Sequence, residues 1–122
     1  MGDKQARIEI LQGTLDLLIL RTLRWGPTHG HGIATSIQQT SGDRLKIEHG
    51  SLYPALQRLL QEGWIEGHWG MSATGRKARF YRLTPAGRRQ LTREQSKWRE
   101  FTEAMGLVLG NLGPAGAGRS ED

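Results

Sequence analysis

Apolar residues recur in steps of three and four along the first part of the chain. They stand at Ile8, Leu11, Leu15, Leu18, Ile19, Leu23 and Trp25. This spacing is that of an α-helix with one side against a core, and the pair Gly26-Pro27 is expected to end it. Leu17 and Leu20 widen the apolar stripe. We therefore expect the first helix to pack against apolar neighbours on two sides.

Two shorter helices are predicted next. Ile33 and Ile37 lie one helical turn apart after the segment 30–32. A third helix is expected to begin near Ser51, whose hydroxyl can cap free N–H groups, with Pro54 in its first turn. Its apolar side is formed by Leu52, Leu56, Leu59 and Leu60. The positions that then point outward are Pro54, Gln57, Arg58 and Gln61.

A β-hairpin is predicted to follow the third helix. Residues 64–69 and 78–83 are rich in aromatic and branched side chains, and both segments have the length of strands. The connector GMSATGRK, residues 70–77, contains two glycines and ends in positive charge. It is expected to form an exposed tip that can reach a ligand surface.

A long helix is predicted at the C-terminal end. Thr84 is a capping residue, and Pro85 suits the first helical position. A stripe with nearly heptad spacing follows, interrupted by Glu94, and its apolar members are Leu91, Trp98, Phe101, Met105, Val108 and Leu112. Such a stripe is close to the seam by which two helices pair. The final segment, 113–122, has the composition of a disordered tail.

These elements predict a mainly α fold with a small two-stranded β-hairpin. Three short helices followed by a hairpin are the layout of a winged helix-turn-helix, in which the third helix enters the DNA major groove. We expect this domain to span residues 8–83 and a C-terminal dimerisation helix to span residues 84–112. The 122 residues suffice for a single main core, and their 36% hydrophobic content makes burial shared with a partner plausible.

The charge is concentrated in one segment. Between residues 76 and 93 there are seven basic residues and no acidic one, so the rest of the chain carries 5 − 7 = −2 of the formal net charge of +5. Such a run favours an anionic partner. An ordinary solvated hairpin is the alternative interpretation.

Seven residues are the candidate DNA contacts. Arg76, Lys77 and Arg79 on the wing would displace counterions from the DNA backbone. Gln57 and Arg58 have the paired donors and acceptors that can interact with base edges, while Ser51 and Tyr53 suit phosphate oxygens. Exposed helices commonly carry Gln and Arg, so a solvated surface is the alternative for each residue alone.

Four stretches of the chain resemble the PadR-like transcriptional regulators, and in particular their short subgroup with a single C-terminal dimerisation helix. They are LQGTLDLLIL, HGHGIATSI, GSLYPALQRLLQEGWIEGHWG and GRKARFYRLTPAGRRQL, within roughly residues 10–110. The GSLYPAL run, then GWI, then the basic YRLT hairpin are specific to this family. Members usually have Tyr where this chain has His31, which puts a contact at that position in doubt.

The resemblance implies a homodimeric DNA-binding repressor, and two-fold symmetry then predicts a palindromic operator in double-stranded DNA. It implies that Tyr53 touches the phosphate backbone and that the final helix forms the dimer interface, for which the seam supplies Leu91, Trp98, Phe101, Met105 and Val108. Some members bind flat aromatic compounds near that interface, so Trp98 and Phe101 are candidates for an effector pocket, although packing alone also explains two rings at seam spacing.

Other functions find little support in the sequence. The four histidines, His29, His31, His49 and His68, are too scattered for a metal pair on one helix face, and HExxH, GxGxxG, GKS/T and GxSxG motifs are absent. We expect no enzyme, metal site or cofactor, and a cytoplasmic protein, because no apolar run approaches a membrane span. A winged-helix module that binds protein or RNA is the alternative function.

Overall fold

The computed structural model describes residues 12–110, which form four helices and three strands. In chain order these are α1 Gln12–Leu23, β1 Thr28–His29, α2 Gly30–Thr40, α3 His49–Gln61, β2 Ile65–Met71, β3 Lys77–Leu83 and α4 Pro85–Leu109. Ile8, Leu11, Leu112 and the predicted tail lie outside the described residues. The chain divides into two compact units, one ending at Thr92 and the other beginning at Arg93, and each is described by itself.

Helix α1 is the centre of the first unit. Ile19, Leu20 and Leu23 are almost completely buried, and Leu17 and Leu18 pack against the core from partly buried positions. The helix contacts α2, α3 and β3. The predicted packing on two sides is therefore confirmed, and the wide apolar stripe is its cause.

The other core side chains come from the loop before α3 and from every element except β1. They are Ile33, Ala34, Ile37, Ile47, Leu52, Ala55, Leu56, Leu59, Ile65, Tyr81, Leu83 and Leu91, together with Leu15 of α1. Burial of a large aliphatic side chain contributes about 1.5–3 kcal/mol, so these contacts supply the main stabilisation. Leu91 was predicted to lie in a dimer seam, and this assignment is wrong: its side chain is 3% exposed within the core of its own unit.

The hairpin belongs to a three-stranded antiparallel sheet with the order β1-β3-β2. The predicted two-stranded hairpin is correct for β2 and β3 but omits β1, which pairs Thr28 with Tyr81 and His29 with Phe80. A strand of two residues is too short to show the alternation by which strands are recognised in a sequence. This third strand fixes the start of α2 to the side of the wing.

The sheet is buried at one end and exposed at the other. Ile65 pairs with Leu83 near the core, and both are buried. On the same face, further out, Trp69 pairs with Arg79 and Met71 with Lys77, and these four are exposed. Because alternate residues share a face, the core-facing side of the sheet continues into an exposed aromatic and basic surface.

Helix α3 begins two residues earlier than predicted. Glu48 is its N-cap and makes no side-chain cap, while the amides of Ser51 and Leu52 donate to the Glu48 carbonyl at 3.0 and 2.9 Å. Ser51 is thus inside the first turn and Pro54 is in the second, where its missing N–H leaves the Gly50 carbonyl without a helical donor. The apolar residues on the core side of α3 decide where the helix begins.

Helix α4 begins at Pro85 as predicted. The Thr84 Oγ1 atom accepts a hydrogen bond from the Gly87 amide at 3.0 Å and donates one to the Gly63 carbonyl at 2.6 Å. A Cβ atom at Gly87 would lie 1.9 Å from the Trp64 carbonyl oxygen. The first turn of α4 is therefore held directly against the start of the hairpin. Among residues 12–110, no helix is both long and apolar enough to cross a membrane.

Candidate nucleic-acid interface

The outer face of α3 carries three of the predicted contacts. Ser51, Tyr53 and Gln57 are exposed, while the apolar residues Leu52, Leu56 and Leu59 on the opposite side are buried. The helical period produces this division, because residues three and four apart share a face. The exposed face presents a hydroxyl, a phenol and a carboxamide to solvent, groups that hydrogen-bond phosphates or base edges.

Tyr53 is held against the start of α2 by a glycine. A Cβ atom at Gly30 would lie 2.7 Å from the Tyr53 hydroxyl, so only glycine leaves room for this ring position. The His49 ring contacts Tyr53 edge-on, with 5.7 Å between centroids. Tyr53 is still 46% exposed. Its hydroxyl is thus placed where the beginnings of α2 and α3 approach each other.

Tyr81 lies on β3 behind this surface. Burial raises the pKa of the Tyr81 phenol above its usual value of 10.0, the guanidinium of Arg79 opposes that change, and Tyr53 adds to it. The Arg79 guanidinium is 5.8 Å from the Tyr81 ring centroid. Tyr81 therefore stays a neutral phenol near neutral pH and supports Arg79 with its ring.

Arg58 is engaged within the domain. Its Nη2 atom lies 2.8 Å from Oδ1 of Asp16 on α1, and its Nε atom is buried without a hydrogen-bond partner. Its side chain is only 37% exposed. Arg58, predicted to point outward beside Gln57, is therefore partly buried, and its guanidinium is paired with a carboxylate 42 residues away in the sequence.

The tip of the wing is a short hydrogen-bonded turn. The Ser72 amide donates to the Arg76 carbonyl at 2.8 Å, and the Gly75 amide donates to the Ser72 carbonyl at 2.9 Å. Gly75 has φ +81, a conformation that suits glycine. The turn leaves Arg76 exposed at its end. A basic side chain on an ordered tip can approach a phosphate backbone without steric obstruction.

The two other predicted wing contacts are supported by aromatic rings. The Lys77 Nζ atom lies 5.4 Å from the Trp69 ring centroid, and Arg79 extends over Gly67 toward Tyr81. A Cβ atom at Gly67 would lie 2.6 Å from the Arg79 Nε atom, so the glycine provides the space for this side chain. Both bases remain exposed. The aromatic supports of these cations were not predicted from the sequence.

The rest of the basic run has other surroundings. Arg82 forms an exposed ion pair with Glu66 at 2.8 Å, and Arg88 and Arg89 are exposed on the first turns of α4. Arg82 and Arg88 line a shallow groove of about 420 Å³. Its other lining residues are Leu23, Gly26, Pro27, Glu66, Leu83 and Pro85. Basic residues adjacent in the sequence are thus distributed between the wing tip, the wing base and α4.

The structure brings the four histidines into one line of ring contacts. The sequence interpretation treated them as scattered, yet they run from the wing through β1 and α2 to α3. In order the rings are His68, Phe80, His29, His31, His49 and Tyr53. Strand β1, which the sequence pattern did not predict, places His29 beside Phe80. Within residues 12–110 no group of His, Asp and Glu has an arrangement that could hold a metal ion.

The described part of the second unit is the rest of α4, and it carries the predicted seam. Trp98, Phe101, Met105 and Val108 are all exposed, and the Trp98 and Phe101 rings lie 5.7 Å apart. Leu107 and Leu109 are also exposed near the end of the helix. The groove described above includes neither Trp98 nor Phe101. This stripe is an apolar surface open to solvent within the chain itself.

The fold and sequence are similar to those of known regulators. The model of the transcriptional regulator PadR-like family matches residues 19–93. The chain is 30% identical over 106 residues to an uncharacterized protein from Lysinibacillus sphaericus, which covers 87% of this chain and 97% of that relative. It is 30% identical over 77 residues to the negative transcriptional regulator PadR of Bacillus subtilis, covering 63% of this chain and 42% of that protein.

A solved structure has the same architecture. The crystal structure of a PadR-like transcriptional regulator from Bacillus cereus superimposes with a TM-score of 0.71 at 27% identity, covering 85% of this chain and 97% of the other. The family model covers α2, α3 and the whole sheet, which are the elements that form the candidate interface. The resemblance inferred from the sequence motifs is confirmed: this chain belongs to the PadR-like family of transcriptional regulators.

Proposed function

We propose that this chain is a dimeric repressor that binds a palindromic operator in double-stranded DNA. The observation that carries the proposal is the exposed polar face of α3 beside a wing with an ordered basic tip, on a winged helix-turn-helix framework. In such proteins the recognition helix enters the major groove. The negative regulator from Bacillus subtilis is the relative that supports repression rather than activation.

Within α3, different residues have different tasks. Gln57 is exposed and interacts with a base edge, while Ser51 and Tyr53 bind phosphate oxygens and fix the register of the helix. Arg58 acts through its bond to Asp16 by holding α3 against α1, so it is a positioning residue rather than a base contact. This assignment leaves sequence discrimination to the exposed part of the helix.

The wing supplies affinity that does not depend on sequence. Arg76, Lys77 and Arg79 contact phosphates that flank the major-groove site. Each contact releases condensed counterions, so the logarithm of the binding constant falls with the logarithm of the salt concentration. The aromatic supports of Lys77 and Arg79 reduce the conformational freedom lost on binding.

Dimerisation uses the exposed stripe on α4. Trp98, Phe101, Met105 and Val108 pack against the same residues of a second copy across a two-fold axis. Two-fold symmetry then requires inverted half-sites about one helical turn apart, roughly 10 bp from centre to centre. A small flat aromatic effector that inserts beside Trp98 and Phe101 would disturb this packing and release the DNA.

Selection from a pool of random duplexes tests the proposal. Purified protein is expected to enrich an inverted repeat, and Gln57→Ala should change the preferred bases without abolishing binding. A pool of structured RNA of equal length serves as the control for general attraction to anions. Failure to enrich any duplex motif, or equal retention of the RNA pool, would refute the proposal. Tryptophan fluorescence titrated with planar aromatics tests the effector, and an unchanged emission at saturating concentrations would contradict it.

A further inference from the structure

All four histidines of the chain lie in a single line of ring contacts that runs from the wing to α3. His68 stacks on Phe80 at 5.9 Å, Phe80 meets His29 at 5.4 Å, and His29 stacks on His31 at 6.5 Å. The line continues through His49, which is 6.4 Å from His31 and 5.7 Å from Tyr53. It ends at Tyr53, which under the proposed function contacts a DNA phosphate.

The hydrogen bonds distinguish His29 from its neighbours. The Nδ1 atom of His29 accepts the Gly32 amide at 3.0 Å and caps α2. The Nδ1 atom of His29 is thus used by the helix cap. His31 and His49 are exposed on α2 and α3, where DNA can reach them. The line therefore contains one ring that caps a helix next to two exposed rings that can meet a phosphate.

Among residues 12–110, the ring contacts of these two histidines are all with other aromatic side chains. His31 faces the rings of His29 and His49, and His49 faces His31 and Tyr53. Glu48, the N-cap of α3, precedes His49 and is the carboxylate next to it in the chain. Behind Tyr53, β3 contributes Tyr81 and Arg79. A backbone phosphate at Tyr53 would bring a second negative charge to His31 and His49.

We infer that His31 and His49 contact the DNA backbone as imidazolium ions, so that DNA binding takes up protons. Histidine is the side chain whose charge ordinarily changes between pH 5 and 8. A phosphate next to the ring favours the protonated form, so the complex holds more protons than the free components. Affinity therefore rises as the pH falls from 8 to 6, and it levels off once the rings are already protonated in the free protein. This inference rests on the proposed function.

Linkage sets the size of the effect. Uptake of one proton per binding event changes the affinity by about tenfold per pH unit. With partial uptake at each ring, we expect the affinity of each subunit for its half-site to increase about tenfold or more between pH 8 and pH 6.

The experiment uses the duplex most enriched in the random-pool selection. Dissociation constants are measured by fluorescence anisotropy from pH 6 to pH 8 at constant ionic strength, and calorimetry in buffers of different ionisation enthalpy measures proton uptake directly. The His31→Gln/His49→Gln double variant is expected to lose the pH dependence and most of the uptake. His68→Gln is the matched control: it removes an exposed histidine from the wing end of the line, and it should retain both.

Three results would overturn the inference: pH-independent affinity of the unaltered protein, proton uptake that persists in the double variant, or equal loss in His68→Gln. Circular dichroism and thermal unfolding establish that each variant is folded, and His29 is kept in all of them because it caps α2. Failure of the proposed function has a different signature, because the unaltered protein would then bind no duplex specifically at any pH.

Discussion

At the residue scale, two glycines determine where two of the candidate DNA-contacting side chains lie. Gly30 gives Tyr53 its place beside α2, and Gly67 lets Arg79 extend across β2 toward Tyr81. Neither glycine is required by its own φ angle; both are required by the side chain that covers them. The positions of Tyr53 and Arg79 are therefore set as much by missing Cβ atoms as by attractive contacts.

Replacement of Gly67 by Ala tests this for Arg79. The new Cβ would lie 2.6 Å from the Arg79 Nε atom, so the flexible arginine must move away from the Tyr81 ring. Because the arginine is exposed and mobile, we expect a stability change below about 1 kcal/mol but a several-fold loss of DNA affinity. In an Arg79→Ala background the same change should cost no further affinity, and an additive loss in that double-mutant cycle would contradict the assignment.

The Asp16–Arg58 pair predicts a stability effect. Asp16→Ala leaves a partly buried guanidinium whose Nε atom already lacks a partner, so unfolding should become easier by about 1–2 kcal/mol. Urea denaturation of Asp16→Ala, Arg58→Ala and the double variant measures the coupling. A coupling energy near zero would show that the pair does not hold α3 against α1.

At the element scale, the wing and α4 are both anchored where the segment before β2 meets the segment after β3. Gly87→Ala would place a Cβ atom 1.9 Å from the Trp64 carbonyl oxygen, a backbone atom that cannot yield easily. We expect a loss of about 3 kcal/mol or more in the free energy of unfolding. The matched control is Gly13→Ala in α1, where, outside the helix's own backbone, no described residue lies within 4 Å of the new Cβ; helix propensity should make it neutral or stabilising. Equal effects of the two changes in thermal unfolding would refute the argument.

The wing itself predicts a change in salt dependence. Arg76→Ala/Lys77→Ala should weaken binding to all duplexes and reduce the salt slope by up to about two per bound subunit, since each phosphate contact contributes about 0.9. Arg21→Ala/Arg24→Ala removes the same charge at the end of α1 and is the matched control. Binding titrations at several salt concentrations distinguish the two. Identical slopes for both pairs would mean that net charge, rather than the position of the wing, determines affinity.

At the scale of the whole molecule, the proposed function requires the assembly of two copies. Trp98 is 44% exposed and lies on the stripe that we propose to be the dimer seam. Trp98→Asp places an unpaired charge there and should weaken the dimer by about 3–5 kcal/mol. Ser96→Asp introduces the same charge on the opposite side of the helix and should leave the dimer intact. Light scattering that finds Trp98→Asp still dimeric at micromolar concentration would contradict the seam.

Much of the architecture could be predicted from the pattern of residues. The order of the four helices and the hairpin follows from local periodicity, and the start of α4 follows from Thr84-Pro85 because that cap is a local interaction. Strand β1 could not be predicted, since two residues have no period, and the start of α3 was displaced because core packing outweighs the preference of Ser51 for a cap position.

The features of the candidate site can also be separated into those that the sequence predicts and those that it does not. Exposure of Ser51, Tyr53, Gln57, Arg76 and Lys77 follows from helix and hairpin geometry, which the sequence encodes locally. The inward turn of Arg58, the core position of Leu91 and the line of histidines depend on contacts between residues far apart in the chain.

The sequence by itself determined the four helices, the β2–β3 hairpin, their apolar faces and the family, because these depend on side-chain type and on spacing within about two helical turns. Only the tertiary structure decided the third strand and which side chains are paired with, or packed against, distant segments of the domain. Pairings such as His29 with Phe80 and Asp16 with Arg58 form when chain folding brings distant segments within hydrogen-bond or ring-contact distance. Such contacts cannot be predicted from a local pattern, because the residues that form them are far apart in the sequence.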